Sequence, residues 1–299
     1  MTKKLFVILG PTAIGKTELS IEIAQRINSE IFSCDSRQFF KELNIGVAKP
    51  DVNQLNTVKH HFIGHISVTQ HYSISKYEQD FLALSSEYFK KNNIAILCGG
   101  SGLYIDAVCY GVDEMPDHDP KIREEVNVFL KTYGLEKLKQ EVKKIDPEYY
   151  NSVDKNNPQR LLRALEIYKQ TGKKFSEYRK RNIPKRDFEI IKIGIELERE
   201  KLYQKANLRV DKMIVAGLID EVKSLSVYKE LIPLKTIGYK EIFDYFDNKI
   251  NLETAIEQIK RNTRHYIRRQ MTWFRRYNDI KWFNVEQKND IMCYIEKSL

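Results

Sequence analysis

The chain has 299 residues, a net charge of +9, 42% hydrophobic residues and 30% charged residues. This length and composition are those of a globular protein with one large or two modest domains, which excludes a disordered chain. No apolar run approaches the roughly 20 residues needed to cross a bilayer, and the apolar stretch at 5–9 is too short for a signal peptide. The four cysteines form no CxxC pair and are expected to be reduced thiols in a cytoplasmic protein without a membrane partner.

Positive charge is concentrated in two stretches of the chain. Residues 258–278 contain seven basic side chains and no acidic one, and residues 173–186 contain seven basic side chains and one acidic one, Glu177. Basic and acidic side chains nearly balance over residues 1–112. Localised basic stretches favour a polyanionic partner, although a solvated helix face explains the charge equally well at this point.

Predicted strands and helices alternate in the first part of the chain. The apolar runs at 5–9, 31–34 and 94–98 are typical of buried strands, and residues 15–27 have apolar positions at helical spacing. The alternation favours an α/β fold with a parallel sheet. Residues 190–197 alternate as a strand does and are expected to return the chain to that sheet.

A charged segment with a helical period interrupts this pattern. Within it, Asn157 before a proline is typical of a helix start, and Gly172 is typical of a helix end. We therefore predict a helical insertion domain at 113–186 within a core formed by 1–112 and 187–299. The last third of the chain is also predicted to be helical.

A phosphate-binding motif lies between the first predicted strand and the first predicted helix. The segment GPTAIGKT fits the P-loop pattern GxxxxGK[ST], in which backbone N–H groups and a helix N-terminus converge on phosphate oxygens. Lys16 would neutralise phosphate charge and the Thr17 hydroxyl would hold magnesium. The motif does not determine which phosphate ester is bound. It consists of Gly10, Pro11, Thr12, Ala13, Ile14, Gly15, Lys16 and Thr17.

A carboxylate follows the second predicted strand, in the segment CDSRQ at 34–38. In an open α/β sheet this edge faces the ligand crevice. Asp35 there would act as a general base or a metal ligand, although an Asp in this position also caps helices.

The order of motifs along the chain resembles the tRNA dimethylallyltransferase (isopentenyltransferase) family over nearly the whole length. A P-loop alone is shared by many protein classes, whereas this ordered combination is close to diagnostic. The resembling segments are GPTAIGKT at 10–17, CDSRQFFKELNIGVAKP at 34–50, HHFIGH at 60–65, GGSGLYIDAV at 99–108, NPQRLLRALEIYKQTGK at 157–173, LEREKLYQKANLRVDKMIVAGLIDEV at 197–222, IGYKE at 237–241 and NTRHYIRRQMTWFR at 262–275.

Three positions depart from the family pattern, which usually has Thr at 47 and 101 and Asp at 64. Ser101 keeps the hydroxyl of the usual threonine, so its hydrogen bond would survive. Val47 and Gly64 lack the usual polar group, so no role is assigned to them.

The resemblance implies a nucleoside-kinase-like P-loop core with a helical insertion that grips the anticodon stem-loop of tRNA. It implies that Asp35 is the general base, that Ser101 lines the channel between the substrates, and that Arg209 joins the P-loop in holding a diphosphate with Mg²⁺ at Thr17. Residues implied to contact tRNA are Asp35, Ser36, Arg37, Gln38, Ser101, Arg123, Gln159, Arg160, Leu161, Leu162 and Arg163.

The reaction so implied is transfer of a dimethylallyl group from dimethylallyl diphosphate to the exocyclic amine of the adenosine 3′ to the anticodon. A monomer is expected. An adenine amine is a weak nucleophile, so a good leaving group and a base are both needed, and the target must be flipped into a pocket. Three alternatives remain: a small-molecule P-loop kinase, a prenyltransferase of free adenine nucleotides, and a non-catalytic RNA-binding protein.

Two smaller hypotheses also have alternatives. Arg160 and Arg163 share a helix face and would contact RNA, but an ion pair with Glu166 would occupy that face equally well. The histidines at 60–65 could suggest a metal site, although no Cys or carboxylate cluster accompanies them and a core or loop position is favoured.

Overall fold

The computed structural model describes residues 2–179 and 183–299. The chain divides into two compact units, Met1–Cys109 with Lys185–Leu299, and Tyr110–Pro184. The domain boundaries expected from the sequence differ from these bounds by a few residues. In the described part of the chain, no helix combines the length and the apolar character that crossing a bilayer requires.

The first unit is built on a sheet in which the described residues form six parallel strands, in the order β3-β2-β4-β1-β5-β6. β1 lies between β4 and β5 and is almost completely buried from Leu5 to Leu9. This sheet confirms the predicted α/β class. The strands are β1 (Lys4–Leu9), β2 (Ile31–Ser33), β3 (His60–His61), β4 (Ile94–Gly99), β5 (Glu189–Glu196) and β6 (Ile280–Asn284).

Strand β6 shows that the expectation of a wholly helical last third was wrong. β6 pairs with β5 from Lys192↔Ile280 to Glu196↔Asn284 and forms the edge of the sheet. It is five residues long and has a neighbour on one side, so its sequence lacks the long apolar run of a central strand.

Helices accompany the sheet and form the insertion, and the first of them lies where the helical spacing of residues 15–27 predicts it. Leu19 and Ile23 of the first helix are buried in one cluster with Phe6 and Ile8 of β1. Short 3-10 turns lie at Ser226–Tyr228 and Ile232–Leu234. The helices are α1 (Lys16–Ile27), α2 (Val52–Thr57), α3 (Ile74–Tyr88), α4 (Gly102–Tyr110), α5 (Pro120–Ile145), α6 (Pro147–Ser152), α7 (Pro158–Thr171), α8 (Phe175–Tyr178), α9 (Arg199–Val215), α10 (Leu218–Ser224), α11 (Tyr239–Phe246), α12 (Leu252–Phe274) and α13 (Lys288–Lys297).

The second unit contains helices α5 to α8 around its own apolar core. The Asn157 side chain accepts a hydrogen bond from the Arg160 N–H, and Gly172 ends α7 with φ 71°, so both predicted ends of this helix are confirmed. α5 is broken at Gly134, where φ is 77° and ψ is 177°. The apolar face of α7 packs against α5 and buries Leu161 and Leu162 completely.

Candidate active site

The P-loop connects β1 to α1 and depends on its glycines for its shape. A Cβ atom on Gly10 would lie 2.6 Å from the Ile195 carbonyl oxygen, so only glycine fits this close approach to β5. Gly15 has φ 99°, in the left-handed region that favours glycine, and α1 begins at the next residue. The helix N-terminus therefore points into the loop, where its dipole favours an anion.

Lys16 lies over the loop, and its Nζ donates a hydrogen bond of 2.8 Å to the Pro11 carbonyl oxygen. Burial lowers the pKa of Lys16, and the nearby Asp35 carboxylate opposes that shift. Among the described residues, no carboxylate forms an ion pair with this ammonium. A phosphate bound in the loop would supply the counter-charge that its burial calls for.

Arg209 reaches the same loop from α9. Its Nη1 donates a hydrogen bond of 3.2 Å to the Thr12 hydroxyl. Burial lowers the pKa of Arg209, and the charge of Asp35 raises it. Two cations from different elements, Lys16 and Arg209, thus contact the same loop, which is the arrangement that the family resemblance implies.

Asp35 follows β2 at the carboxyl edge of the sheet. Its Oδ1 accepts a hydrogen bond of 3.0 Å from the Arg37 N–H, which fixes the carboxylate in a turn and leaves Oδ2 directed elsewhere. Asp35 lines the same cavity as Thr12, Lys16 and Thr17. The structure therefore brings the predicted base and the predicted phosphate site together.

Ser101 lies beside the turn that carries Asp35. The Ser36 N–H donates to the Ser101 hydroxyl at 3.1 Å, and Ser101 donates to the Ser36 hydroxyl at 3.3 Å. The preceding Gly99 allows this approach, since a Cβ there would lie 2.5 Å from the Cys34 sulfur. The hydroxyl retained at Ser101 thus makes a structural hydrogen bond to the base-bearing turn.

Gln38 is directed into the neighbouring loop. Its Nε2 donates to the carbonyl oxygens of Val47 at 3.3 Å and Ala48 at 2.9 Å. The amide nitrogen of Gln38 therefore holds the 44–48 loop against the turn. Val47 contributes its backbone carbonyl here, which explains how a residue without a polar side chain is accommodated.

A second cavity of about 380 Å³ adjoins the first and shares Thr12, Asp35 and Arg209 with it. Its volume falls within the range of small-molecule pockets. It combines apolar and polar surface. The other lining residues are Ser36, Arg37, Gly46, Val47, Ala206, Val210, Met213, Lys235, Thr236, Ile237, Gly238, Ile259, Thr263, Tyr266 and Arg269.

The oxygen atoms near the P-loop fit a magnesium ion held jointly with a phosphate. Thr17, Ser33 and Asp35 line the phosphate-side cavity, and hydroxyl and carboxylate oxygens are the ligands that Mg²⁺ prefers. In the described part of the chain, no three His, Cys, Asp or Glu side chains gather into a metal site, including the histidines at 60–65. Mg²⁺ usually keeps several waters and binds through one or two protein oxygens and substrate phosphates, so this donor set is sufficient.

The helix residues of the second unit are arranged around a buried carboxylate. Glu166 is completely buried, and its oxygens accept from Arg123 at 2.7 Å and Arg163 at 2.8 Å and also contact His118. Arg123 also donates to Gln159 at 3.0 Å. The ion pair that the sequence left as an alternative is therefore present for Arg163, whereas Arg160 is exposed.

Leu161 and Leu162, which the resemblance assigned to tRNA, are 0% exposed. Their apolar side chains form part of the core between α7 and α5. Neither side chain reaches solvent, so both are shielded from a tRNA that approaches the surface of α7.

The two basic stretches differ in the exposure and ion pairing of their side chains. In the 173–186 stretch, Arg186 is buried in an ion pair with Glu78 and donates to the Val108 carbonyl, whereas Lys180 and Arg181 lie outside the described residues. On α12, exposed basic side chains form one face. They are Arg261, His265, Arg268 and Arg269.

The α12 face also contains a histidine, His265, which is surrounded by arginines. Desolvation and then the nearby arginines, Arg268 first, lower the pKa of His265. Other basic residues of the helix are engaged, Lys260 with Asp211 at 2.9 Å and Arg264 with Asn207 at 2.7 Å. The α12 face is therefore an exposed basic surface of the first unit.

Sequence reasoning missed several residues that shape the site. Glu221 accepts hydrogen bonds from the N–H groups of Ile45 at 2.7 Å and Gly46 at 3.1 Å, and from the Tyr239 hydroxyl at 2.6 Å. It thereby fixes the 44–48 loop that lines the larger cavity. Gln270, a buried residue of α12, was missed too. These contacts join distant parts of the chain, so no local sequence pattern predicts them.

The chain is similar to known proteins in both sequence and fold. The sequence model described as IPP transferase matches residues 38–277. A tRNA dimethylallyltransferase of Christiangramia forsetii is 48% identical over 100% of this chain and 99% of its own length. A tRNA dimethylallyltransferase of Flavobacterium johnsoniae is 45% identical over 99% of this chain and 98% of its own.

Solved structures with a similar fold have names of the same kind as these relatives. The full-length tRNA isopentenylpyrophosphate transferase of Bacillus halodurans is 35% identical, with a TM-score of 0.73 over 99% of this chain and 96% of that one. A eukaryotic dimethylallyltransferase described as acting on tRNA is 26% identical, with a TM-score of 0.76 over 95% of this chain and 74% of that one. With matches of this extent in both sequence and fold, the chain belongs to the IPP transferase family.

Proposed function

We propose that the protein transfers the dimethylallyl group from dimethylallyl diphosphate to the exocyclic amine of the adenosine 3′-adjacent to the anticodon in tRNA, releasing diphosphate. The observation that carries this proposal is the placement of Lys16, Thr17 and Asp35 on one cavity, with a second cavity continuing from it. The relatives with the highest identities reported above are named tRNA dimethylallyltransferases, which supports the substrate assignment.

In this reaction the allylic C–O bond to the diphosphate breaks and a C–N bond to the adenine forms. The P-loop N–H groups, Lys16 and Arg209 stabilise the negative charge that grows on the leaving diphosphate. Mg²⁺, held at Thr17 with the diphosphate oxygens, would neutralise part of that charge. The diphosphate would occupy the phosphate-side cavity as far as the shared residues Thr12 and Arg209. The larger cavity beyond them would hold the adenine and the prenyl chain.

Asp35 takes the proton that the amine loses. Its backbone turn is fixed by the Arg37 N–H and by the Ser36–Ser101 hydrogen bonds, which hold the carboxylate in place. A positioned carboxylate next to the reacting nitrogen is what a general base requires. Ser36, Arg37 and Ser101 line or support the wall against which a flipped base would lie.

The tRNA backbone would be held by exposed cations. Arg160 of α7 and the α12 face provide such groups. Their contacts would be to phosphates and therefore independent of the base sequence. Arg123, Gln159 and Arg163 would contribute with the part of each side chain that Glu166 leaves accessible. The proposed enzyme is a monomer, as expected from the sequence.

One experiment tests the proposal directly. The protein is incubated with labelled dimethylallyl diphosphate, Mg²⁺ and unmodified tRNA, and the tRNA is digested to nucleosides. We expect label in a single modified adenosine and one diphosphate released per modification. Label in free adenine nucleotides but not in tRNA, or ATP-dependent phosphoryl transfer without prenyl transfer, would contradict it and favour the alternative enzymes.

A further inference from the structure

Gln270 of α12 lies between two turns that the active site uses. It is 5% exposed, its Oε1 accepts a hydrogen bond of 2.9 Å from the Thr12 N–H, and its Nε2 donates one of 2.7 Å to the Gly100 carbonyl. Thr12 belongs to the P-loop, and Gly100 precedes Ser101. One amide group therefore spans the phosphate loop and the turn that supports the base.

The Gln270 amide is closely packed against the turn at Gly100. A Cβ on Gly100 would lie 2.3 Å from the Gln270 Nε2 and 3.3 Å from the Gly10 carbonyl oxygen. Both turns thus approach each other closely, with the amide between them. A side-chain amide presents an acceptor and a donor side by side, so it can serve both turns at once.

The same helix makes a second contact with the base side of the site. Tyr266, one turn before Gln270 and on the same face of α12, lies near the Ser101 side chain; burial raises the pKa of Tyr266 to about 12, and Ser101 acts on it in the opposite direction. Ser101 in turn accepts from the Ser36 N–H, next to Asp35. A continuous path of hydrogen bonds therefore runs from Thr12 through Gln270 and Gly100–Ser101 to the base-bearing turn.

We propose that Gln270 is a positioning residue that sets the distance between the diphosphate-binding loop and the general base Asp35. Gln270 borders the phosphate-side cavity, but its amide oxygen and nitrogen are engaged by Thr12 on one side and by Gly100 on the other, and it acts through these two residues. Transfer requires the allylic carbon and the amine to meet at near-contact distance while the amine proton faces Asp35. A misplacement of about 1 Å costs such reactions on the order of 10²-fold in rate.

The test uses two substitutions and one matched control on the same helix. Gln270→Leu keeps the approximate volume and removes both hydrogen bonds. Gln270→Glu keeps the acceptor for the Thr12 N–H but loses the donor to Gly100 whenever the carboxyl is ionised. Thr272→Ala changes an exposed α12 residue that belongs to neither the substrate-binding nor the catalytic groups.

The measurements are single-turnover transfer at saturating donor and tRNA, the KM for the donor, and the melting temperature of each variant. We expect Gln270→Leu to lower the single-turnover rate by roughly 10- to 100-fold, with donor KM nearly unchanged and the protein folded at the assay temperature. Gln270→Glu should regain rate relative to the wild type as pH falls, because only the protonated carboxyl donates to Gly100. Thr272→Ala should match the wild type.

The inference rests on the proposed function, and the outcomes separate the two. If the wild type transfers no prenyl group to tRNA, the proposed function fails. If the wild type is active and Gln270→Leu is within threefold of it, or loses rate only in proportion to the fraction unfolded, positioning by Gln270 is refuted. A loss for Gln270→Glu that does not change with pH refutes it as well, since the donor to Gly100 would then have no role.

Discussion

Two groups of cations in this protein are held in different ways. Lys16 and Arg209 face the phosphate-side cavity, and within the described residues neither forms an ion pair with a carboxylate. Arg123 and Arg163 of the second unit both donate to Glu166, which is completely buried. The first pair is available to an incoming anion, whereas the second pair is already largely neutralised.

This difference separates binding charge from structural charge. A cation without a carboxylate partner, partly desolvated beside a P-loop, gains most when a phosphate arrives. A cation that satisfies a buried carboxylate cannot leave it without exposing that carboxylate's unpaired charge. We therefore expect substitutions at the first pair to remove activity and substitutions around Glu166 to remove stability first.

The largest effect is expected for Lys16→Ala. Without the ammonium, the charge on the leaving diphosphate loses one of its main counter-charges, so prenyl transfer should be abolished. tRNA binding should hardly change, because it uses other surfaces. Transfer and tRNA affinity are measured side by side, with the exposed Lys91→Ala as control. Near-wild-type turnover by Lys16→Ala would show that the diphosphate does not bind at this loop.

A large effect on stability is expected for Glu166→Gln. The amide cannot balance Arg123, Arg163 and His118, so the free energy of unfolding of the second unit should fall by about 3 kcal/mol. Denaturant unfolding followed by a probe in that unit checks this. Glu125→Gln, which alters an exposed ion pair with Lys169, should change stability by less than about 1 kcal/mol. Equal effects of the two substitutions would contradict the distinction drawn here.

A moderate effect on RNA affinity is expected for Arg160→Ala. This exposed side chain should contribute one phosphate contact, so its loss should flatten the salt dependence of tRNA binding by roughly one unit of log–log slope. Stability should be unchanged. Arg163→Ala should instead destabilise the second unit, since it leaves Glu166 short of a partner. An unaltered slope for Arg160→Ala would remove this residue from the tRNA interface.

The smallest effect is a pH dependence of stability. Burial opposes ionisation of Glu166, but its hydrogen bonds to His118 and Arg123 outweigh burial and hold the pKa of Glu166 below its ordinary value. A lowered folded pKa means that the stabilisation is complete above the ordinary glutamate range and is lost as pH falls through the lowered value. The melting temperature should therefore fall more in acid for the wild type than for Glu166→Gln. Parallel pH profiles would contradict this.

The parts that could be predicted from the sequence are those with local causes. The P-loop needs only eight consecutive residues, and the ends of α7 needed only Asn157 and Gly172 at its termini. The strands of the sheet interior were apolar runs. In each case the physical requirement, phosphate cradling, capping or burial, is expressed in neighbouring residues.

The parts that could not be predicted depend on distant contacts. Gln270 and Gly100 are 170 positions apart, and the donor and acceptor of that bond have no common pattern. β6 is a short edge strand whose partner is far away in sequence. Leu161 and Leu162 lie in a motif that the resemblance assigns to tRNA. Their burial depends on packing against α5, which the motif does not express.

The central claim, that Asp35 is the base beside the diphosphate site, is tested most directly by Asp35→Asn. Single-turnover transfer is measured at saturating tRNA and dimethylallyl diphosphate, with binding of each measured separately and the exposed Asp187→Asn as control. Because the amide cannot accept the amine proton, the rate should fall by about 10²- to 10⁴-fold, with both substrates still bound and no rescue at higher pH. A rate within a few-fold of the wild type would contradict the account.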